Sequence, residues 1–71
     1  MSQKSTATTL LLDRIIREAE RKELTGISRV RAWELEKFGH FPKRRKLTPT
    51  GNSVGWLLSE INEWIQSREI A

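Results

Sequence analysis

At 71 residues the chain has room for one small domain with one modest core, which argues against a deep enzyme pocket, and the absence of cysteine excludes a disulfide framework or a Cys-based zinc site. Thirteen Lys/Arg against nine Asp/Glu give a formal charge of +4, but residues 28–46 alone carry seven basic side chains (Arg29, Arg31, Lys37, Lys43, Arg44, Arg45, Lys46) against Glu34 and Glu36, a local +5, so the remainder sums to −1. A scattered +4 would be ordinary solubility, whereas a cluster of +5 favours a polyanionic partner, most often nucleic acid.

Residues 1–8, MSQKSTAT, are polar and without periodicity, so a disordered tail is expected, with residues 9–71 forming a single domain. A minor-groove arm is the sharper alternative, but only Lys4 supplies charge there. The run Leu10–Leu12 is far short of a membrane span, and the N-terminus lacks the apolar centre of a signal peptide, so a soluble cytoplasmic protein is expected. From Thr9 to Leu24, Leu12, Ile15, Ile16 and Ala19 repeat at the spacing of an amphipathic helix, with Arg14, Arg17, Glu18 and Arg21 at the other positions. Thr9 or Asp13 is its N-cap, and that choice leaves Leu10–Leu12 as either helix or short strand. Thr25-Gly26 ends this helix.

Ser28 caps a second helix that runs to about Phe38, where Gly39 stops it. Two helices joined by a tight Gly-containing turn read as a helix-turn-helix, although an ordinary helical hairpin looks the same. The second helix is not cleanly amphipathic: Ala32, Leu35 and Phe38 fall on one side, Val30 and Trp33 on another. Pro42 then forbids helix continuation. Lys43–Leu47 and Val54–Leu57 flank the turn residues Thr48-Pro49-Thr50-Gly51-Asn52-Ser53, which predicts a β-hairpin with Val54 and Trp56 on one face of its outgoing strand. The basic run Lys43, Arg44, Arg45 and Lys46 alternates across the hairpin, so about two of its side chains should face a partner and two solvent. Ser59 caps the last helix, whose inward stripe is Ile61, Trp64 and Ile65.

With TGISR, Trp33, Leu35, Lys37, Gly39, FPK at 41–43, Lys46-Leu47, VGW at 54–56, Glu60-Ile61 and Trp64-Ile65 in place, residues 25–68 resemble the AlpA-like family of small phage and prophage regulators, relatives of excisionase and MerR-type proteins. The chain departs from that pattern at Glu36, at Asn52-Ser53 in a longer wing loop, and in a longer segment ahead of Thr25. The resemblance implies an α+β, mostly helical fold: a winged helix-turn-helix of three helices with a two-stranded β-hairpin wing between the second and third. It also implies a bacterial, nucleoid-associated protein that binds double-stranded DNA as a homodimer or cooperative oligomer.

On that reading the helix over 28–38 enters the major groove and the 43–56 hairpin lies on the backbone or in the minor groove. Ser28, at a helix N-terminus, can meet a phosphate as well as cap. Arg29 and Arg31 occupy the first turn, where a helix-turn-helix places base-reading residues, and arginine pairs in bidentate fashion with guanine. Glu34 can accept from cytosine or pair with Arg31 or Lys37. Lys37, Lys43, Arg44, Arg45, Lys46, Asn52 and Ser53 complete the expected DNA-binding set. The aromatic residues are expected in the core rather than stacked on bases. His40 has no metal-ligating or nucleophilic neighbour in sequence, so neither a cofactor nor a metal is expected, and no nucleophile, base and acid recur together, so no enzyme is expected. Two alternatives remain: an excisionase-type factor that bends DNA for an integrase, and an adaptor or inhibitor that uses the basic face on an acidic protein.

Overall fold

A computed structural model describes residues 13–71. In chain order the elements are β1 (Ile15–Ile16), α1 (Glu18–Thr25), α2 (Arg29–Lys37), β2 (Arg45–Lys46), β3 (Val54–Leu57) and α3 (Leu58–Gln66). Among the described residues, three helices and a small antiparallel sheet make an α+β fold compatible with a winged helix-turn-helix. The sheet, however, has three strands in the order β1-β3-β2 and not the two of a simple hairpin. Ile15 pairs with Leu57 and Ile16 with Trp56 on one edge of β3, while Arg45 pairs with Gly55 and Lys46 with Val54 on the other.

The added strand corrects the expected first helix. Ile15 and Ile16 satisfy the helical spacing, but they are β-branched and find an open edge of β3, so tertiary pairing overrides the period. Helix α1 therefore starts at Glu18, after an extended Arg17, and Ala19 from the expected apolar stripe is exposed. Glu18 and Glu20 sit favourably in its positive first turn. Its end is as expected: Gly26 takes φ 73° and donates its N–H to the Lys22 carbonyl. The expected tail over 1–8, Thr9 as a cap and the state of Leu10–Leu12 lie outside the described residues.

Ser28 does cap α2, its Oγ accepting from the Arg31 N–H at 3.2 Å, and Gly39 ends it at φ 77°. The cap of α3 is a second correction. Leu57 occupies the N-cap position and Ser59 lies inside the first turn. The acceptor comes from Asp13, whose carboxylate takes the Ser59 N–H at 3.1 Å and the Ser59 hydroxyl at 3.0 Å. Asp13 thus caps α3 and not the first helix.

The core is Ile16, Ala32, Phe41, Trp56 and Ile61, with Leu35, Trp64 and Ile65 packed against it. Trp64 meets Phe41 edge-on at 4.8 Å and donates its indole N–H to the His40 carbonyl at 2.6 Å, which fixes the segment leading into the wing. At Gly55 the neighbouring β1 closes in: a Cβ there would lie 2.6 Å from Ile15 Cγ2 and 2.8 Å from the Ile16 carbonyl oxygen. Arg21, expected on the polar side of the first helix, is fully buried. Its guanidinium donates to the Ile27 carbonyl and to Glu18, each at 2.5 Å, beneath the Trp56 and Phe41 rings.

Candidate nucleic-acid interface

Only Ala32 of α2 is buried, with Leu35 beside it half-buried. With about 100° between successive residues, the opposite side of α2 is formed by Val30, Trp33, Glu34 and Lys37. This outward face explains the mixed pattern in the sequence. Val30 is 68% exposed and Trp33 46%, and Phe38 is exposed just beyond the helix. Trp33 and Phe38, expected to pack inside, thus point outward because Ala32 and Leu35 alone supply the inward contact.

Trp33 is the centre of the arrangement. The Arg29 guanidinium lies 4.9 Å from its ring centroid and the Arg44 guanidinium 4.7 Å, so a helix residue and a wing residue meet on one indole. Such cation–π contacts hold long side chains that would otherwise sample many rotamers. Arg44 also comes within 3.8 Å of Glu36. Trp33 and Arg44 form a ridge shared by two open clefts. One, of about 420 Å³, is lined by Glu18, Arg29, Lys46 and Asn52 among others; the second, of about 580 Å³, is lined by Val30, Glu34, Lys37 and Lys43.

The expected site residues are therefore only partly brought together. Arg29, Arg44, Lys46 and Asn52 converge between α2 and the wing, with Lys37 and Lys43 along the second cleft. Arg31 stands on the other flank of α2, since residues two apart in a helix do not face each other, and pairs with Glu34 at 3.1 Å. Arg45 turns to the opposite side of the wing and grips Glu60 on α3 at 2.7 Å. That hydrogen bond, with the attraction of the carboxylate, holds the Arg45 pKa above its ordinary value. Ser53 contributes its carbonyl to the Leu47 N–H at 3.0 Å inside the wing. Ser28 is exposed at the start of α2.

Sequence reading missed three residues here. Trp33 was legible only as a residue that fitted no single apolar face. Glu18, an acid inside a basic cleft, is held by Arg21. Arg17 donates through Nε to the Val54 carbonyl at 2.9 Å, at the root of the wing, and nothing in its local sequence marks it. A further pair lies outside the clefts: Glu20 accepts two hydrogen bonds from Arg14, which pulls the Glu20 pKa down and pushes the Arg14 pKa up.

Residues 14–69 match the family described as prophage CP4-57 regulatory protein (AlpA). The chain belongs to the AlpA family. The match begins one residue before β1 and ends beyond α3, so it covers all of the described secondary structure, including the strand and first helix that the motif resemblance left out. An uncharacterized protein, ORF88, of Enterobacteria phage P4 is 38% identical over 56 residues, which is 79% of this chain and 61% of that protein. The chain thus spans about three-fifths of the length of this phage relative. No solved structure matches the chain. Among the described residues no helix is long and apolar enough to cross a membrane.

Proposed function

We propose that the chain is a sequence-specific double-stranded DNA-binding transcriptional regulator of prophage type, with α2 in the major groove and the 43–56 wing along the adjacent backbone. The observation that carries this reading is the convergence of Arg29 from α2 with Arg44 and Lys46 from the wing around an exposed Trp33. Two elements from different parts of the chain bring their basic side chains to one face, where Glu18, Glu34 and Glu36 are outnumbered, and membership of a family of prophage regulatory proteins supports the same reading. In this arrangement Arg29, Lys37, Lys43, Arg44 and Lys46 meet phosphates, Asn52 and Ser53 approach from the wing, and Ser28 offers the helix N-terminus. Arg31 reads from the far flank of α2 once it exchanges Glu34 for DNA. Arg45 is assigned to Glu60 and leaves the interface.

Five cations on phosphates give a slope of log K against log salt of about −4.5. Anisotropy titrations of a labelled duplex over a range of salt concentrations test this, and a slope near zero overturns the DNA reading. One such domain reads only a few base pairs, so paired or arrayed sites bound by a homodimer or cooperatively are expected. Footprinting with a bending assay separates a promoter regulator from an integrase-assisting excision factor: phased repeats with strong bending favour the latter.

A further inference from the structure

We infer that Val30 is a specificity-determining residue that reads a thymine methyl group in the major groove; the inference rests on the DNA reading above. Val30 lies in the first turn of α2, 68% exposed, and points away from the Ala32–Leu35 side that meets the core. Among the described residues it takes no part in the core. A β-branched side chain on an exposed helix position is also a poorer helix former than alanine, so helix stability does not call for valine there.

What surrounds Val30 decides the kind of partner. The cleft it lines carries Lys37, Lys43 and Arg44 beside the exposed Trp33, together with Glu34, which pairs with Arg31, and Glu36, which faces Arg44. Arg29 is the neighbouring residue on the wing side. An apolar spot flanked by cations, with the nearby carboxylates Glu34 and Glu36 each matched by an arginine, is complementary to a surface with methyl groups between two rows of phosphates. The major groove has that character, because it admits a helix and thymine alone presents a methyl group there. The arginines flanking α2 would then take guanine edges or phosphates, while Val30, at the most outward position of the first turn, faces the floor of the groove.

The test uses the full chain and duplexes enriched from a random-sequence pool, with each thymine replaced singly by deoxyuridine, which removes only the methyl group. At one thymine per bound site the wild type should lose about fourfold in affinity, the effect of one buried methyl. Val30→Ala should bind the thymine and deoxyuridine duplexes equally, with its fold checked by circular dichroism. Indifference of the wild type to every replacement overturns the inference, as does a methyl effect that persists unchanged in Val30→Ala. If the pool yields no enriched duplex and binding is insensitive to salt, the DNA reading falls together with this inference. Enrichment followed by indifference to deoxyuridine removes the inference alone.

Discussion

Arg45 and Lys46 are adjacent in the basic run, yet replacing them one at a time should have different consequences for DNA binding. Successive strand residues project to opposite faces. Arg45 goes to Glu60 at 2.7 Å, and Lys46 lines the cleft with Arg29 and Arg44. With five cations on phosphates, raising salt from about 50 to about 200 mM should weaken binding about 500-fold. Lys46→Ala leaves four, a slope of about −3.6 and a loss of about 150-fold over the same range. Arg45→Ala should leave the slope at about −4.5, because its charge is already spent on a carboxylate within the protein. Anisotropy titrations at four salt concentrations separate these slopes, with melting curves run beside them to confirm that each variant is folded. Equal reductions in slope for the two variants, or a larger one for Arg45→Ala, would refute the division of the wing into a DNA face and an α3 face.

Three further outcomes test the frame that carries this surface. Gly55→Ala forces a Cβ against the Ile16 carbonyl oxygen at 2.8 Å, and a backbone atom cannot swing aside as a side chain can. A loss of about 1–3 kcal/mol is expected, with Tm falling roughly 4–8 °C per kcal/mol; an unchanged melt would mean that β1 is not seated on β3. Asp13→Ala should cost about 1 kcal/mol in urea unfolding and Asp13→Asn only a few tenths, because asparagine still caps. Equal losses for the two would point away from capping. The depressed Glu20 pKa means the folded state favours the carboxylate, so its contribution is present above the ordinary glutamate range and is lost as pH falls through the lower folded value. Between about pH 5 and about pH 3 the wild type should therefore lose more stability than Glu20→Gln, and identical acid profiles would show that the Arg14 pair does not persist in solution.

What the sequence made legible was local chemistry. Ser28 and Gly39 delimit α2 through backbone groups a few residues away, the turn residues at 48–53 place the β2–β3 hairpin, and Ile61, Trp64 and Ile65 mark the inner side of α3 at helical spacing. Pairings that span the chain were not legible. Ile15-Ile16 fits helix and strand equally, and only the free edge of β3 decides between them. Asp13 and Ser59 were both recognisable as capping residues, but not as partners. At the site the same limit applied: the charge block was plain, whereas its division depended on which side of α2 faces the core. Trp33 and Trp56 look equivalent in sequence, and they separate because Ala32 and Leu35 turn Trp33 outward while strand pairing turns Trp56 in.

Arg21 links that frame to the clefts. A buried guanidinium is expensive to desolvate, and a paired one is weak support for stability. Its contacts reach three elements: Glu18 at the start of α1, the Ile27 carbonyl in the turn before α2, and the face of Trp56 on β3 at 5.4 Å. Its Nε has no hydrogen-bond partner among the described residues. A residue that holds α1 and the turn before α2 against the central strand fixes the separation between Arg29 on one side and Lys46 on the other, and it also anchors Glu18 in the cleft. Arg21→Met keeps the volume but orphans the Ile27 carbonyl, so a destabilisation of about 1–3 kcal/mol is expected. If the contacts act on geometry as well as stability, DNA affinity should fall further than the folded fraction does, in conditions where circular dichroism shows the variant folded. Affinity that tracks the folded fraction alone would reduce Arg21 to a core filler and leave the angle between α2 and the wing to Trp56 and Phe41.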